Sequence, residues 1–306
     1  MTSLRYDRAH TRPPHHSKPA SRESHSRARW GIPGFLSIIV PAFNESENLP
    51  GLVEEIVRTF RPMVGADEGN PLEGFEVVVV DDGSSDDSST VLDRLSMQYR
   101  ELRSISLIRN AGQSAAILAG FREAEGAWIG MLDADLQNPP SDLARLWDLL
   151  PGHDAALGWR MKREDVLWKR WISRWANSVR NVVLGQSIRD TGCSVRIFPR
   201  EIALRLPAFR GFHRFLGPLL LREGCRVVQA PVAHRRRAHG VSHYGFWNRS
   251  YQVVFDLLGV AWLMRRGVRY QTAASSNPLE PASRAPAPHL ARTGSAVGAF
   301  DHQEAA

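Results

Sequence analysis

Four short apolar runs, each ended by a polar cluster, constrain what this chain can fold into. Leu36 to Val40 is continuous and apolar but for one serine, and Pro41 ends it. Phe75 to Val80 carries four consecutive valines. Ile105 to Ile108 and Ala127 to Leu132 complete the set. Such runs suit strands buried on both faces of a parallel sheet. Helical patterns separate them: Leu49 to Phe60, a capped helix from the Asp81–Asp86 turn to about Tyr99, and a helix opened by Arg109–Ser114 and running through Glu125. Strand–helix alternation implies βαβ units and a mostly parallel sheet flanked by helices. Ligands of such sheets bind beyond the carboxyl ends of the strands. The polar clusters at 41–48, 81–86, 109–114 and 133–138 all follow a strand, so they converge on one edge.

The ends of the chain read differently. Residues 1–30 hold seven Lys or Arg, four His and three Pro, and residues 271–306 are rich in Ala, Pro and Ser. Both lack the apolar surface that offsets ordering entropy, and are expected to be disordered. The expected division is a basic tail at 1–30, a catalytic domain at 31–245, an amphipathic helix at 246–270 and a second tail at 271–306. The net charge is +7, most of it in the first tail. The folded body is then only weakly basic, which argues against a nucleic-acid partner. The two cysteines, Cys193 and Cys225, have no metal or redox spacing. No window reaches the ~18 apolar residues that span a bilayer. These features lead us to expect a cytoplasmic protein.

The fourth run ends in Asp133-Ala-Asp135, and Gln137 lies two residues further on. Alternate residues of an extended segment point the same way. The three side chains therefore offer hard oxygen ligands to Mg²⁺ or Mn²⁺. A divalent cation neutralises the charge that develops on a diphosphate leaving group. No G-x-G-x-x-G follows the first strand, which argues against a dinucleotide-binding dehydrogenase.

Taken together, Val40–Glu45, Val80-Asp-Asp-Gly-Ser84, Arg109-Asn-x-Gly112 and Asp133-Ala-Asp-Leu-Gln-Asn-Pro-Pro140 resemble glycosyltransferase family 2, whose nucleotide-sugar-binding fold is called GT-A. The nearer resemblance is to the branch of dolichol-phosphate mannosyltransferases and bacterial polyprenyl-phosphate sugar transferases. It extends from about Leu36 to Tyr244. The resemblance implies that Pro41, Phe43 and Glu45 line a nucleotide pocket. It implies that Val80 and Asp82 meet base and ribose, and that Asp133 and Ala134 contact the nucleotide sugar. Asp135 and Gln137 would hold the metal. Gly112 would let the backbone approach the ligand closely, since it has no Cβ.

The resemblance also places an acceptor phosphate. Arg160 matches an arginine that contacts phosphate, and Ser173 with Arg174 match a Ser-Arg pair near it. His234 to Tyr244 resembles an R-x-x-G-x-S-K-Y loop, with Arg237 and His243 at the phosphate-binding positions. His243 departs from the lysine of that pattern, and a neutral imidazole binds phosphate more weakly. Asp190 to Arg196 matches a further family segment without an assigned role.

A lipid phosphate is already anionic near neutral pH and needs positive charge for positioning, not a strong base. A sugar hydroxyl must lose a proton, and its transferase needs a positioned base. Glu164 and Asp165 are the candidates for one. The expected reaction is therefore inverting, metal-dependent transfer from GDP-mannose or a UDP-sugar to a polyprenyl or dolichyl phosphate. Transfer to a carbohydrate hydroxyl and an inactive nucleotide-sugar-binding module are the alternatives. Trp168, Trp171 and Trp175 share one helical face among basic residues. Phe255, Leu258 and Trp262 share another, ahead of Arg265, Arg266 and Arg269. Both suit helices lying in the inner membrane surface, and equally helices packed on the domain or on a membrane-protein partner.

Overall fold

In a computed structural model, residues 31–66, 71–160, 188–235 and 250–266 are described. The expected tails, the Trp168–Trp175 segment and the positions of Ser173, Arg174, Arg237 and His243 lie outside them.

The strands are β1 (Ile32–Ala42), β2 (Gly74–Asp81), β3 (Leu102–Ser106), β4 (Gly126–Met131), β5 (Ala155–Arg160), β6 (Arg196–Pro199) and β7 (Val227–Val232). They form one sheet in the order β3-β2-β1-β4-β6-β5-β7. All run in one direction except β6, which is antiparallel to β4 and β5. The carboxyl ends of β1, β2, β3, β4, β5 and β7 therefore share one edge. Eleven residues of β1 lie at the centre between β2 and β4, where an apolar run meets the least water.

Alternating side chains divide the core between two faces. Leu36, Ile38, Val40, Val77 and Val79 pack against α1 (Leu49–Phe60), α2 (Ser88–Gln98) and α4 (Pro140–Asp148). Ile39, Val78 and Val80 pack against α3 (Gln113–Glu123), α5 (Arg200–Arg205), α6 (Leu216–Arg222) and α7 (Ser250–Arg265). Both faces of the central strands are thus covered, which explains why their sequence is apolar at nearly every position, with buried Ser37 and Glu76 hydrogen-bonded to each other. In α1 the buried residues Leu49, Leu52, Val53, Ile56, Val57 and Phe60 recur at helical spacing.

One strand sits earlier than its apolar residues suggest. β3 runs from Leu102 to Ser106 and pairs with Val77–Asp81 of β2, whereas the apolar pattern centred it on Ile105–Ile108. It is an edge strand with a half-solvated face, so polar Arg103 and Ser104 belong to it. The Leu107 N–H still reaches the Asp81 carbonyl, and Ile108 is fully exposed.

Candidate functional site

Three loops leave the shared edge and are stitched together by side-chain caps. After β1, Asn44 turns the chain with φ 54°. Its N–H donates to Ser84 Oγ at 2.9 Å, and its own Oδ1 accepts the Ser85 N–H at 2.8 Å. Glu45 N–H donates to Ser88 Oγ, and Ser46 N–H to Asp86 Oδ2. The first loop is therefore fixed on the second. Gly83 (φ 67°) makes this possible: a Cβ there would lie 2.5 Å from the backbone of Arg109. Asp82 then fixes the third loop. Its Oδ1 accepts the Ala111 N–H at 2.8 Å, and its Oδ2 the Gly112 N–H at 2.9 Å. Burial pushes the Asp82 carboxyl above the ordinary range, and these two N–H groups offset part of that.

Of the expected nucleotide-pocket residues, Pro41, Phe43 and Glu45 are half-buried on the first loop. Glu45 accepts the Asn48 side-chain amide at 2.6 Å. Val80 is fully buried in the core, so its side chain meets α3 and not a ligand. Gly112 precedes α3 with φ 92°, and no protein atom lies within 4 Å of where its Cβ would be.

Asp133, buried Ala134 and Asp135 follow β4 after one buried residue, Leu132. The Gln113 side-chain amide, at the start of α3, donates to Asp133 Oδ1 at 3.2 Å. Burial, and then the charge of Asp135, push the Asp133 carboxyl up to about 6; the Ser194 hydroxyl, Arg196 and Arg160 pull the other way. Two carboxylates thus crowd together with too little positive charge to relieve them. A divalent cation would supply that charge. Two carboxylates, an amide oxygen, waters and phosphate oxygens make a donor set that suits Mg²⁺ or Mn²⁺. The residues present therefore fit such an ion, with Gln137 half-buried on the same loop. The Gln137 N–H donates to Asp135 Oδ1 at 3.2 Å.

Two arginines stand behind the carboxylates. Arg160, at the end of β5, is held bidentately by Asp190, with Nε–Oδ2 2.8 Å and Nη2–Oδ1 3.1 Å. Burial works against its charge, but the Asp190 hydrogen bonds outweigh it and raise the guanidinium above its ordinary value. Arg196 is buried, and burial lowers it. It donates to the carbonyls of His213 and Thr191, both at 2.7 Å. Gln113, Asp190, Ser194 and Arg196 carry no assigned role in the sequence reading, although each lies in a quoted motif. Their contribution depends on α3 and β6 meeting β4, and spacing alone does not reveal that.

Residues 37–206 match the family model described as Glycosyl transferase family 2. The chain belongs to this family. This glycosyl transferase family 2 member is 35% identical over 242 residues to dodecaprenyl-phosphate galacturonate synthase of Rhizobium johnstonii, covering 76% of this chain and 68% of that protein. It is 37% identical over 227 residues to undecaprenyl-phosphate 4-deoxy-4-formamido-L-arabinose transferase of Pseudomonas syringae, covering 73% and 64%. The chain thus spans about two thirds of the length of these curated relatives. The fold is of the GT-A type. It resembles glucosyl-3-phosphoglycerate synthase from Mycobacterium tuberculosis with TM-score 0.54 and 18% identity, over 81% of this chain and 86% of that one. It also resembles S. aureus TarS 1–349 in complex with UDP-GlcNAc, with TM-score 0.51 and 16% identity, over 74% and 66%.

Proposed function

We propose that this protein transfers a sugar from a nucleotide diphosphate sugar to a polyprenyl phosphate, using Mg²⁺ or Mn²⁺. The observation that carries the reading is the crowded Asp133–Asp135 pair at the end of β4, with Gln113 in front and Arg160 and Arg196 behind. The names of the relatives support the acceptor class, since each specifies a prenyl phosphate.

In this reading Pro41, Phe43 and Glu45 line the nucleoside pocket, and Asp82 holds the 109–112 loop against it. Asp133 and Ala134 orient the nucleotide sugar. Asp135 and Gln137 would hold the cation, which when bound stabilises negative charge on the departing diphosphate. Arg160, with Ser173, Arg174, Arg237 and His243, holds the acceptor phosphate. One acceptor oxygen attacks the anomeric carbon as the bond to the diphosphate breaks, and the bonding pair leaves with the nucleoside diphosphate. The anomeric centre inverts. The attacking oxygen is already anionic, so no protein base has to remove a proton.

The acceptor lies in a bilayer, and we place the enzyme on the inner surface of the membrane, held there directly or by a membrane-protein partner. Among the described residues no helix is long and apolar enough to cross one. On α7, however, Phe255, Leu258 and Trp262 are exposed while Val260 and Ala261 are buried against the domain. The helix therefore packs by one face and presents an apolar second face. The Arg266 guanidinium lies 6.0 Å from the Trp262 ring centroid. An aromatic beside a cation suits the headgroup region.

The test is turnover. Purified protein with Mn²⁺, a nucleotide-sugar panel and a short polyprenyl phosphate yields a glycosylated lipid phosphate detectable by mass spectrometry. Product on a carbohydrate hydroxyl alone, or nucleotide-sugar binding without turnover, overturns the reading.

A further inference from the structure

The loop that carries Gln137 is strained and tied down from outside. Leu136 adopts φ 59°, a left-handed conformation that a branched side chain rarely takes. Such a residue persists only where its surroundings over-determine it. The surroundings here are three residues that leave β7. Ala233 N–H donates to Asp142 Oδ2 at 2.6 Å, and its carbonyl accepts the Asn138 side-chain amide at 3.1 Å. Arg235 N–H donates to the Gln137 carbonyl at 2.7 Å, and the Gln137 side-chain amide reaches the Arg235 carbonyl at 3.5 Å. Residues 233–235 thus form a strap along the loop that follows the two carboxylates.

The strap is anchored in turn. Arg235 Nη1 and Nη2 reach Glu55 Oε2 and Oε1, each at 3.0 Å. Glu55 lies on α1, a helix whose buried face belongs to the core. This bidentate pair joins residues 180 positions apart. It gives the strap an anchor on α1 besides the one that Ala233 has on α4 through Asp142.

We infer that Glu55 and Arg235 are positioning residues for Gln137: the pair pins the strap to α1, and the strap fixes the Gln137 backbone and amide toward the cation site. This inference rests on the reading of Gln137 as a cation ligand. Outer partners of this kind orient a ligand and tune its affinity. The pair is half solvated, with side-chain exposures of 49% for Arg235 and 18% for Glu55. Its effect is therefore modest, about threefold in cation affinity.

The experiment uses the full chain and the variants Glu55→Gln, Arg235→Gln and the charge reversal Glu55→Arg with Arg235→Glu. Hydrogen exchange in EDTA reports the loop alone. Each single variant speeds exchange across residues 135–138, and the reversal restores protection. Mn²⁺ titration in the presence of UDP, followed by the electron paramagnetic resonance signal of free Mn²⁺, reports the site. Each single variant weakens Mn²⁺ about threefold, while kcat at saturating Mn²⁺ stays within about twofold. Unchanged exchange in both single variants overturns the positioning role. So does a fall in kcat with Mn²⁺ affinity intact, or a reversal that restores neither readout. Faster exchange in a protein whose parent binds no Mn²⁺ overturns the cation reading instead, and leaves the positioning of the loop standing.

Discussion

The side-chain amide of Gln113 donates to Asp133 Oδ1 across 3.2 Å, linking the start of α3 to the end of β4. Burial and the Asp135 charge outweigh the groups that favour the ionised form, the Ser194 hydroxyl, Arg196 and Arg160, so the Asp133 carboxyl sits at about 6 and not at the ordinary 3.8. The folded state therefore binds this proton more tightly than the unfolded chain does. The contribution to stability is fully present below about pH 4 and is lost as pH rises through about 6. That difference corresponds to roughly 3 kcal/mol. In EDTA, Asp133→Asn should be the more stable protein at about pH 7.5, by up to roughly that amount. The advantage should vanish near pH 4. Urea unfolding at both pH values checks this, and parallel pH dependence in parent and variant would contradict the raised value.

Removing Asp135 should relieve the same crowding and also remove a ligand of the proposed cation site. Asp135→Ala should leave the fold intact and lower transfer by ~10²–10³, the usual effect of losing a preorganised electrostatic element. Wild-type turnover by this variant, or a parent enzyme indifferent to EDTA, would remove the cation from the mechanism.

Asp82 offers a sharper distinction. Its oxygens are taken by the N–H groups of Ala111 and Gly112. Asp82→Ala leaves both donors without an acceptor, at about 1–3 kcal/mol each where they stay buried. Residues 109–112 should then exchange hydrogen faster, and donor affinity should fall at least about tenfold. Asp82→Asn, which keeps one acceptor oxygen, should fall between. Calorimetry with UDP and GDP measures the affinity. Weaker binding with exchange at 109–112 unchanged would mean that Asp82 acts by touching the nucleoside and not by holding the loop.

Arg160 and Asp190 should behave as a unit. Removing one partner leaves the other charge largely buried, at 15% and 12% side-chain exposure, a loss of roughly 3 kcal/mol or less. We expect Arg160→Ala and Asp190→Asn to impair transfer to polyprenyl phosphate to similar extents. Donor hydrolysis without acceptor should change less. Equal loss of hydrolysis and transfer would assign Arg160 to the donor diphosphate.

The sheet was legible because its central strands are covered on both faces. Val77 to Val80 must be apolar throughout, and polar residues must gather at their ends. The edge strand β3 was misplaced because one half-solvated face leaves only a weak alternating pattern. The carboxylates of the site were legible for a related reason: Asp133 and Asp135 directly follow a buried run. Their partners were not. Gln113 meets Asp133 only because α3 starts beside β4, and Arg235 meets Glu55 only after the sheet is complete. Contacts between residues this distant in sequence leave no local period to read.

The last prediction concerns α7. Asp256 interrupts its apolar run, yet the carboxylate does not face outward: it lies against Gly211, 3.0 Å from where a Cβ would stand. Burial raises the Asp256 carboxyl, and the nearby Arg214 offsets part of that. The outward positions Phe255, Leu258 and Trp262 are 69%, 58% and 61% exposed, so an apolar strip remains on the outer face of α7, the strip proposed to meet the membrane. Fully burying one such side chain contributes ~1.5–3 kcal/mol. Leu258→Ser with Trp262→Ser should therefore lower partition onto anionic liposomes at least about tenfold, without loss of thermal stability. Arg265→Gln with Arg266→Gln should lower it further at low salt, at about 1 kcal/mol for each charge, and should matter little at high salt. Val260→Asp, placed on the packed face, should destabilise the domain instead. If flotation of the Leu258 and Trp262 variant matches that of the parent, the exposed face of α7 is not what meets the bilayer.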